Sequence, residues 1–224
     1  LEAGASFAAP EVVMVYSKDG LGQMSRTFHD LYRERLCRGE WQLKPRPIVI
    51  NNWEATYFDF DEKKLCALAD AAKEAGVEMF VLDDGWFGNR FDDRRALGDW
   101  VVNTQKLKGG LPYIVSEMKK RGLGFGLWVE PEMVSPESEL FKAHPDWCIH
   151  IPGREMYLAR TQLMLDLSRQ DVVDYLFETL SDIFASAEIS YIKWDFNRYM
   201  TDVFSEKLDA EHQQEMPHRY VLGL

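Results

Sequence analysis

Residues 191–197, Tyr-Ile-Lys-Trp-Asp-Phe-Asn, carry an ammonium, a carboxylate and an amide at alternate positions of one short stretch. Side chains of a strand alternate between its two faces, so Lys193, Asp195 and Asn197 would share one face. We expect helices to cover the apolar residues of the opposite face. If the polar face lines a pocket, the Lys193 ammonium favours ionised Asp195 and lowers its pKa. The stretch therefore predicts a nucleophile or electrostatic stabiliser at Asp195, or alternatively an exposed ion pair that contributes little.

Acidic and aromatic residues also lie at the ends of other predicted strands. Asp83 and Asp84 end one apolar run, Glu130 ends another, and Trp53 and Trp128 lie at two such ends. If the strands are parallel, these ends meet at one edge, and we expect the side chains to converge there. Carboxylates accept hydrogen bonds from sugar hydroxyls, and indole rings cover the apolar C–H side of a sugar. The combination predicts a carbohydrate site.

Each of these features also has a simpler explanation. The Asp-Asp-Gly of residues 83–85 is common turn chemistry, and any single Trp more often fills a core. The Glu-Pro-Glu of residues 130–132 could be a solvated loop, and the Asp-Asp of 92–93 a charged surface patch. The site is favoured because four predicted strands place polar groups at the same end.

Strand and helix patterns alternate along most of the chain. Strands are predicted at 48–54, 79–85, 125–130 and from 191, and helices at 19–38, 61–75, 112–121, 137–143, 171–187 and 213–224. Residues 163–167 fit either a strand or an ordered loop. Nearly all-apolar strands that alternate with helices predict a parallel sheet covered by helices.

A barrel and an open doubly wound sheet both satisfy this alternation. The first strand is not followed by Gly-x-Gly-x-x-Gly, and polar strand ends are typical of a barrel. We therefore predict an α/β fold, an incomplete (β/α)8 TIM barrel comprising its N-terminal half, over residues 47–224. Residues 1–46 would be the end of a preceding β-sandwich domain and a linker helix. The chain starts at Leu1 rather than Met and stops within a predicted helix, so we expect a piece of a longer protein.

The composition of the chain argues against several classes of binding partner and cofactor. A formal net charge of −11 argues against binding to nucleic acid or to an anionic membrane surface, and no run is long enough to span a bilayer. The three cysteines are far apart and predict reduced thiols in a cytoplasmic protein. The five histidines include no pair at ligand spacing, so we expect neither a metal nor another cofactor.

Five segments together resemble a known family, the α-galactosidases of glycoside hydrolase family 36. They are Trp53-Glu-Ala-Thr-Tyr-Phe, Leu82-Asp-Asp-Gly-Trp-Phe-Gly88, Leu97-Gly-Asp-Trp100, Trp128-Val-Glu-Pro-Glu-Met133 and Lys193-Trp-Asp-Phe-Asn-Arg198. The resemblance runs from about residue 10 to the end of the chain. It implies a retaining hydrolase of terminal α-linked galactose in oligosaccharides such as melibiose and raffinose. It also implies a full-length homo-oligomer, since members of the family are often tetramers.

The resemblance implies roles for individual residues. Asp195 would be the nucleophile, and Asp83 and Asp84 would bind the galactose hydroxyls O4 and O6. Five further residues would surround the galactose, the last of them at its outer edge: Lys193, Trp128, Arg160, Asn197 and Trp53.

One part of the family pattern is missing. The acid/base of the family is an Asp on a later strand, beyond residue 224, and nothing in the sequence predicts a raised pKa for Glu130 or Asp84. We therefore expect these 224 residues alone to be inactive on an unactivated galactoside. A galactosyl-transferring relative, a non-catalytic sugar-binding module and a metal-dependent barrel hydrolase remain as alternatives.

Overall fold

The computed structural model describes residues 3–224, which form a first unit ending at Arg46 and a second unit, Pro47–Leu224. In the first unit, helix α1 (Gly20–Leu31) continues into a wider π-helical turn, Tyr32–Leu36. The predicted helix over 19–38 is thus present, but it is shorter and changes its winding at residue 32. Residues 5–17 contain no strand. The assignment of this unit to a β-sandwich domain and linker stays a prediction.

The second unit is an α/β structure. Its strands are β1 (Val49–Asn51), β2 (Met79–Leu82), β3 (Gly124–Val129), β4 (Met133–Val134), β5 (Leu163–Met164) and β6 (Tyr191–Trp194). Its helices are α2 (Trp53–Thr56), α3 (Glu62–Glu74), α4 (Gly110–Lys120), α5 (Glu139–Ala143), α6 (Gln170–Ala185) and α7 (Met216–Gly223). Strands β1, β2, β3 and β6 form one sheet in that order, and every neighbouring pair is parallel. The predicted parallel α/β sheet is confirmed.

The helices between these strands follow from apolar spacing and from end signals. In α3, Leu65, Ala69 and Ala72 recur at helical spacing and are buried. The Asp61 side chain caps the helix by accepting the Lys64 N–H at 2.8 Å. Gly76 follows the helix with a φ of +85°, a conformation that glycine adopts readily and other residues rarely. The sequence carried all of these signals, so α3 lies within a residue of its predicted bounds.

Strand β4 and helix α2 were not predicted, and residues 163–167 had been left open between a strand and a loop. Strands β4 and β5 are two residues each and pair antiparallel, which places residues 163–164 in a strand. Trp53 was predicted to lie at the end of a strand. It instead begins helix α2, a single helical turn after β1. Strand β4 is too short to show a periodicity, and its pairing with the remote β5 decides it.

The outer strands of the sheet, β1 and β6, expose apolar side chains in the described part of the chain. Ile48, just before β1, is 60% exposed, and Ile192 and Trp194 on β6 are 41% and 44% exposed. The prediction that helices cover the apolar face of residues 192–196 is wrong for residues 3–224. The central strands differ, since every residue of β2 is buried. Among the described residues, no helix combines the length and apolarity needed to cross a bilayer.

The central sheet should dominate stability. Leu127 on β3 is fully buried, so Leu127→Ala should lower the free energy of unfolding by about 2–5 kcal/mol. Urea unfolding followed by circular dichroism measures this loss. Val101→Ala, at a side chain that is 72% exposed, is the control and should change stability by less than about 0.5 kcal/mol. Equal effects of the two substitutions would contradict the packing described here.

Candidate active site

One cavity brings together all eight side chains singled out from the sequence. It has a volume of about 130 Å³ and lies beyond the carboxyl ends of the parallel strands. The eight predicted residues that line it are Trp53, Asp83, Asp84, Trp128, Arg160, Lys193, Asp195 and Asn197. Five others complete the lining: Phe58, Arg90, Asp93, Glu130 and Gln162. The expected convergence is present, while the role of each residue stays a prediction.

Asp195 lies directly after β6 and is held by three donors. Burial by itself raises the pKa of Asp195, but hydrogen bonds outweigh it and leave the pKa below its ordinary value of 3.8. The Asn197 Nδ2 and Trp128 Nε1 donate to Oδ2 at 2.8 and 3.0 Å, and the Phe196 N–H donates to Oδ1 at 3.0 Å. The group is therefore an ionised carboxylate, and it faces the cavity.

The expected lowering of the Asp195 pKa is present, and the Lys193 charge contributes to it, although less than the three hydrogen bonds. The Lys193 ammonium forms its ion pair with Asp83, with Nζ to Oδ2 at 2.8 Å, rather than with Asp195. Its charge lowers the pKa of Asp195 less than any of the three hydrogen bonds does. Sequence adjacency could not reveal this, because Asp83 lies on a strand distant in the chain. Lys193 links two carboxylates of the cavity: it bonds one and lies near the other.

The backbone and the carboxylate of Asp83 are both held by hydrogen bonds. Its backbone N–H donates to the Asn52 Oδ1 at 2.8 Å, and its own Oδ1 accepts the Asp84 N–H at 2.9 Å. The Asp83 Oδ2 accepts a hydrogen bond from Lys193, so the carboxylate is fixed in one orientation. Only 2% of the residue is exposed. Such a fixed, ion-paired carboxylate can accept a ligand hydroxyl without having to reorganise.

Asp84 is paired with Arg90, a residue that the sequence analysis missed. The Arg90 Nε and Nη2 donate to the two carboxylate oxygens at 2.7 and 2.8 Å, in a bidentate pair with both residues buried. Burial still raises the pKa of Asp84, because it outweighs the guanidinium. The expectation that Asp84 has no raised pKa was wrong, since burial cannot be read from the position of an acid in a sequence.

The turn explanation of residues 83–85 holds alongside the site. Gly85 has a φ of +100°, and a Cβ there would come within 3.0 Å of the Phe58 ring. Lys106 donates from Nζ to the carbonyl oxygens of Gly85 and Arg90, both at 2.9 Å, and burial lowers the pKa of Lys106 to about 8. Lys106 thus holds the turn in place, and the carboxylates of the two preceding residues face the cavity.

The Glu-Pro-Glu segment is not a solvated loop. Glu130 and Glu132 are 1% and 3% exposed. Glu132 accepts the Trp194 Nε1 at 2.9 Å and the Tyr220 hydroxyl at 2.5 Å, and so joins β6 to α7. Glu130 lines the cavity, and burial raises its pKa to about 7. The expectation of no raised pKa was wrong for Glu130 also.

The aromatic and cationic residues complete the walls. Trp128 is 2% exposed and stacks on Phe87 at 6.1 Å, so it packs in the core and donates to Asp195 at the same time. Arg160 donates to the Asn197 Oδ1 at 2.6 Å from a left-handed backbone position, φ +52°. Such a conformation costs a non-glycine residue on the order of 1–3 kcal/mol and is often found at functional sites. Trp53 is half-buried beside Phe58.

The residues that the sequence analysis missed share one property: tertiary contacts alone place them at the cavity. Arg90 and Gln162 lie in connecting segments with no strand-end signal, and Asp93, taken as part of a surface patch, lies on the wall of the cavity. Asn52, just after β1, offered a signal that was passed over, since it is a polar residue at a strand end. Within residues 3–224, no three His, Cys, Asp or Glu side chains are grouped so that they could hold a metal ion.

A larger groove of about 840 Å³ lies elsewhere and is a weaker candidate. Its carboxylate Asp99 is used in the fold: the two oxygens accept the N–H groups of Glu139 and Leu140, both at 3.1 Å, at the start of α5. The smaller cavity has five carboxyl groups and three cations around one space, and we take it as the functional site.

The raised pKa of Glu130 predicts a pH-dependent stability. At a pH between 4.5, the ordinary pKa of a glutamate, and about 7, Glu130 keeps its proton in the folded state and has lost it in the unfolded state. Stability from this group is therefore complete below pH 4.5 and is lost as the pH rises through 7, by up to about 1.4 kcal/mol per pH unit.

Urea unfolding of the wild type and of Glu130→Gln between pH 4.5 and 8 tests this. The substitution should remove that slope, while Glu178→Gln on the exposed side of α6 controls for loss of a carboxylate. Parallel slopes in the wild type and Glu130→Gln would contradict it.

Comparison with known proteins agrees with the geometry. The chain is 58% identical over 224 residues to alpha-galactosidase AgaA of Geobacillus stearothermophilus, and 51% identical to alpha-galactosidase 1 of Pediococcus pentosaceus. In both cases all of this chain matches 31% of the relative, so it spans about a third of their length.

Solved structures match as closely. A crystal structure of a substituted AgaA in complex with stachyose superposes with a TM-score of 0.95 at 57% identity, over 100% of this chain and 31% of that one. The galactosidase domain of the α-galactosidase–sucrose kinase AgaSK superposes with a TM-score of 0.85 at 42% identity, over 92% and 28%. The profile of the Melibiase family matches residues 6–224. This chain belongs to the melibiase family.

Proposed function

We propose that this chain is the nucleophile-bearing part of a retaining α-galactosidase that removes terminal α-linked galactose from oligosaccharides. The observation that carries the proposal is the ionised Asp195, which faces a small cavity together with the fixed carboxylates Asp83 and Asp84. Asp83 and Asp84 would accept the galactose hydroxyls O4 and O6. An anionic oxygen beside two hydroxyl-binding groups can hold a sugar ring and attack its anomeric carbon.

The reaction would proceed by double displacement. Asp195 attacks the anomeric carbon as the aglycone leaves, and gives a β-galactosyl-enzyme that water then hydrolyses. The donors on Asp195 suit this role, because they keep it anionic before attack. The same donors stabilise it as a leaving carboxylate in the second step.

A second carboxyl group must protonate the leaving oxygen, at about 5–5.5 Å from the nucleophile in a retaining enzyme. Neither candidate in the cavity fits. Both oxygens of Asp84 accept from Arg90, and both oxygens of Glu130 accept from neighbouring amides. We infer that the acid/base is an Asp outside these 224 residues, as the family pattern implies.

The remaining lining fits a neutral, polyhydroxylated ligand. Lys193, Arg160 and Asn197 offer donors, Trp53 offers a half-buried indole ring, and Trp128 supports the wall from the core. Substituted forms of AgaA have been crystallised with raffinose and with stachyose, both of which are α-galactosides. We propose raffinose and melibiose as substrates of the present protein. A galactosyl-transferring relative would use the same half-reaction with a sugar in place of water.

The fold supports a barrel assignment. Four parallel strands in the order β1-β2-β3-β6 leave β1 and β6 as edges with exposed apolar side chains. Exposed apolar edges are unfavourable unless further strands or another element cover them. We propose that residues 47–224 form the N-terminal half of a (β/α)8 barrel, and that residues 1–46 belong to a preceding β-sandwich domain and linker.

Three further expectations about the whole protein are carried as proposals. The net charge of −11 favours neither a nucleic-acid partner nor a membrane surface. A cytoplasmic location and a homo-oligomeric assembly, in the tetrameric form often seen in the family, complete the proposal.

Removing the nucleophile tests the function directly. In the full-length protein, Asp195→Ala should lower kcat on p-nitrophenyl α-galactoside by a factor on the order of 10⁴ or more, because no other group can form the covalent intermediate. Asp182→Asn, on the exposed side of α6, is the matched control and should keep wild-type activity.

Two outcomes separate the alternatives. Azide added to Asp195→Ala should restore aglycone release and form β-galactosyl azide, which NMR identifies. An Asp195→Ala variant that retains its rate would overturn the proposal. A wild type that binds galactosides without hydrolysing them would indicate a sugar-binding module instead.

The isolated 224-residue chain should behave differently from the full-length protein. Lacking the proton donor, it should release no measurable galactose from raffinose under conditions in which the full-length protein does. A rate comparable to that of the full-length protein would contradict the placement of the acid/base outside this chain.

A further inference from the structure

Glu130 lies next to the proposed nucleophile for a topological reason. Strands β3 and β6 pair through Val129 and Trp194, the residues immediately before Glu130 and Asp195. The two carboxyl groups therefore leave the sheet side by side, and both line the cavity. Glu130 is 1% exposed, which is costly for a carboxyl group unless its oxygens have partners.

One of the hydrogen-bond partners of Glu130 also binds Asp195. The Glu130 Oε1 accepts the backbone N–H of Asn197 at 2.8 Å. The side chain of the same Asn197 donates from Nδ2 to the Asp195 Oδ2 at 2.8 Å. The Asn197 Oδ1 accepts from Arg160 at 2.6 Å, so the amide can face only one way. Glu130 thus holds the backbone of the residue that orients the nucleophile.

The other oxygen of Glu130 meets Gln162. The Gln162 Nε2 donates to the Glu130 Oε2 at 3.2 Å, while its Oε1 is buried with no hydrogen-bond partner among the described residues. Turning the amide would place Oε1 against Glu130, where a proton on the carboxyl group would satisfy it. This arrangement suits a Glu130 that carries a proton, and a glutamine at position 130 would reproduce it.

We propose that Glu130 is a positioning residue for the proposed nucleophile: by accepting the Asn197 N–H, it fixes the amide that orients Asp195. The inference rests on the proposed function and falls with it. Glu130 contributes through geometry rather than charge, since a neutral acceptor in the same place would hold Asn197 equally well. Its removal should therefore affect the chemical step and leave sugar binding in place.

Three substitutions in the full-length protein separate the roles. Glu130→Gln keeps the acceptor for Asn197 and offers an N–H to Gln162, so kcat should stay within about 3-fold of the wild type. Glu130→Met has similar volume but no comparable acceptor. It should lower kcat on p-nitrophenyl α-galactoside by about 10- to 100-fold, with KM within about 3-fold, because a misplaced nucleophile slows attack.

Glu130→Asp is the second line of evidence if Glu130→Met does not fold. It keeps the carboxyl group but is one methylene shorter, so it cannot hold Asn197 in the same position and should also lower kcat. Thermal unfolding of each purified variant identifies those that are folded at the assay temperature. Only folded variants enter the comparison of kcat with KM.

The outcomes are distinguishable. A folded Glu130→Met or Glu130→Asp with wild-type kcat would overturn the positioning role while leaving the proposed function standing. Equal losses in Glu130→Gln and Glu130→Met would also overturn it, because the charge or proton, and not the acceptor, would then matter. A wild type without galactosidase activity would overturn the proposed function and this inference together.

Discussion

The site depends on keeping one half-buried carboxylate ionised. Burial disfavours the charge on Asp195, and three short hydrogen bonds more than compensate for it. Two of the donors are side chains, the Trp128 indole and the Asn197 amide, and each is itself held. Trp128 is packed in the core, and Asn197 is held by Glu130 and Arg160. The Asp195 carboxylate is therefore held by side chains that are themselves fixed by their neighbours.

The same principle balances the charges of the whole cavity. Five carboxyl groups around a space of about 130 Å³ would repel one another if all were ionised without partners. Asp83 and Asp84 are instead paired with Lys193 and Arg90. The raised pKa of Glu130 lets that group carry a proton below about pH 7. The oxygens of Asp195 accept hydrogen bonds from three neutral donors. The cations Lys193 and Arg90 thus form their ion pairs with Asp83 and Asp84 rather than with Asp195.

The sheet explains why these groups can meet at all. Parallel strands deliver successive carboxyl ends to one edge, so residues as distant in sequence as Asp83 and Lys193 come within 2.8 Å. Connecting segments add Arg90, Arg160 and Gln162 to the same space. The backbone strain at Arg160 and the tied turn at Gly85 are local features that aim side chains inward, and the rigid central strands support them.

The sequence by itself determined the alternating α/β pattern, the position of α3 and eight of the thirteen residues that line the cavity. Spacing, capping and polar strand ends are local signals, and they are encoded within a few residues. Motifs such as Lys193-Trp-Asp-Phe-Asn-Arg198 added the family. The lowered pKa of Asp195 was also predicted, from the Lys193 charge, which contributes less than the three hydrogen bonds.

Only the tertiary structure decided which charges pair, which acids are buried and which apolar faces lack cover. Lys193 was assigned to Asp195 because they are two residues apart, yet it bonds Asp83 across the sheet. Glu130 was read as having an ordinary pKa because nothing near it in sequence shows that it is buried. Pairing and desolvation depend on distances between segments remote in the chain, and a linear sequence carries no direct measure of those distances.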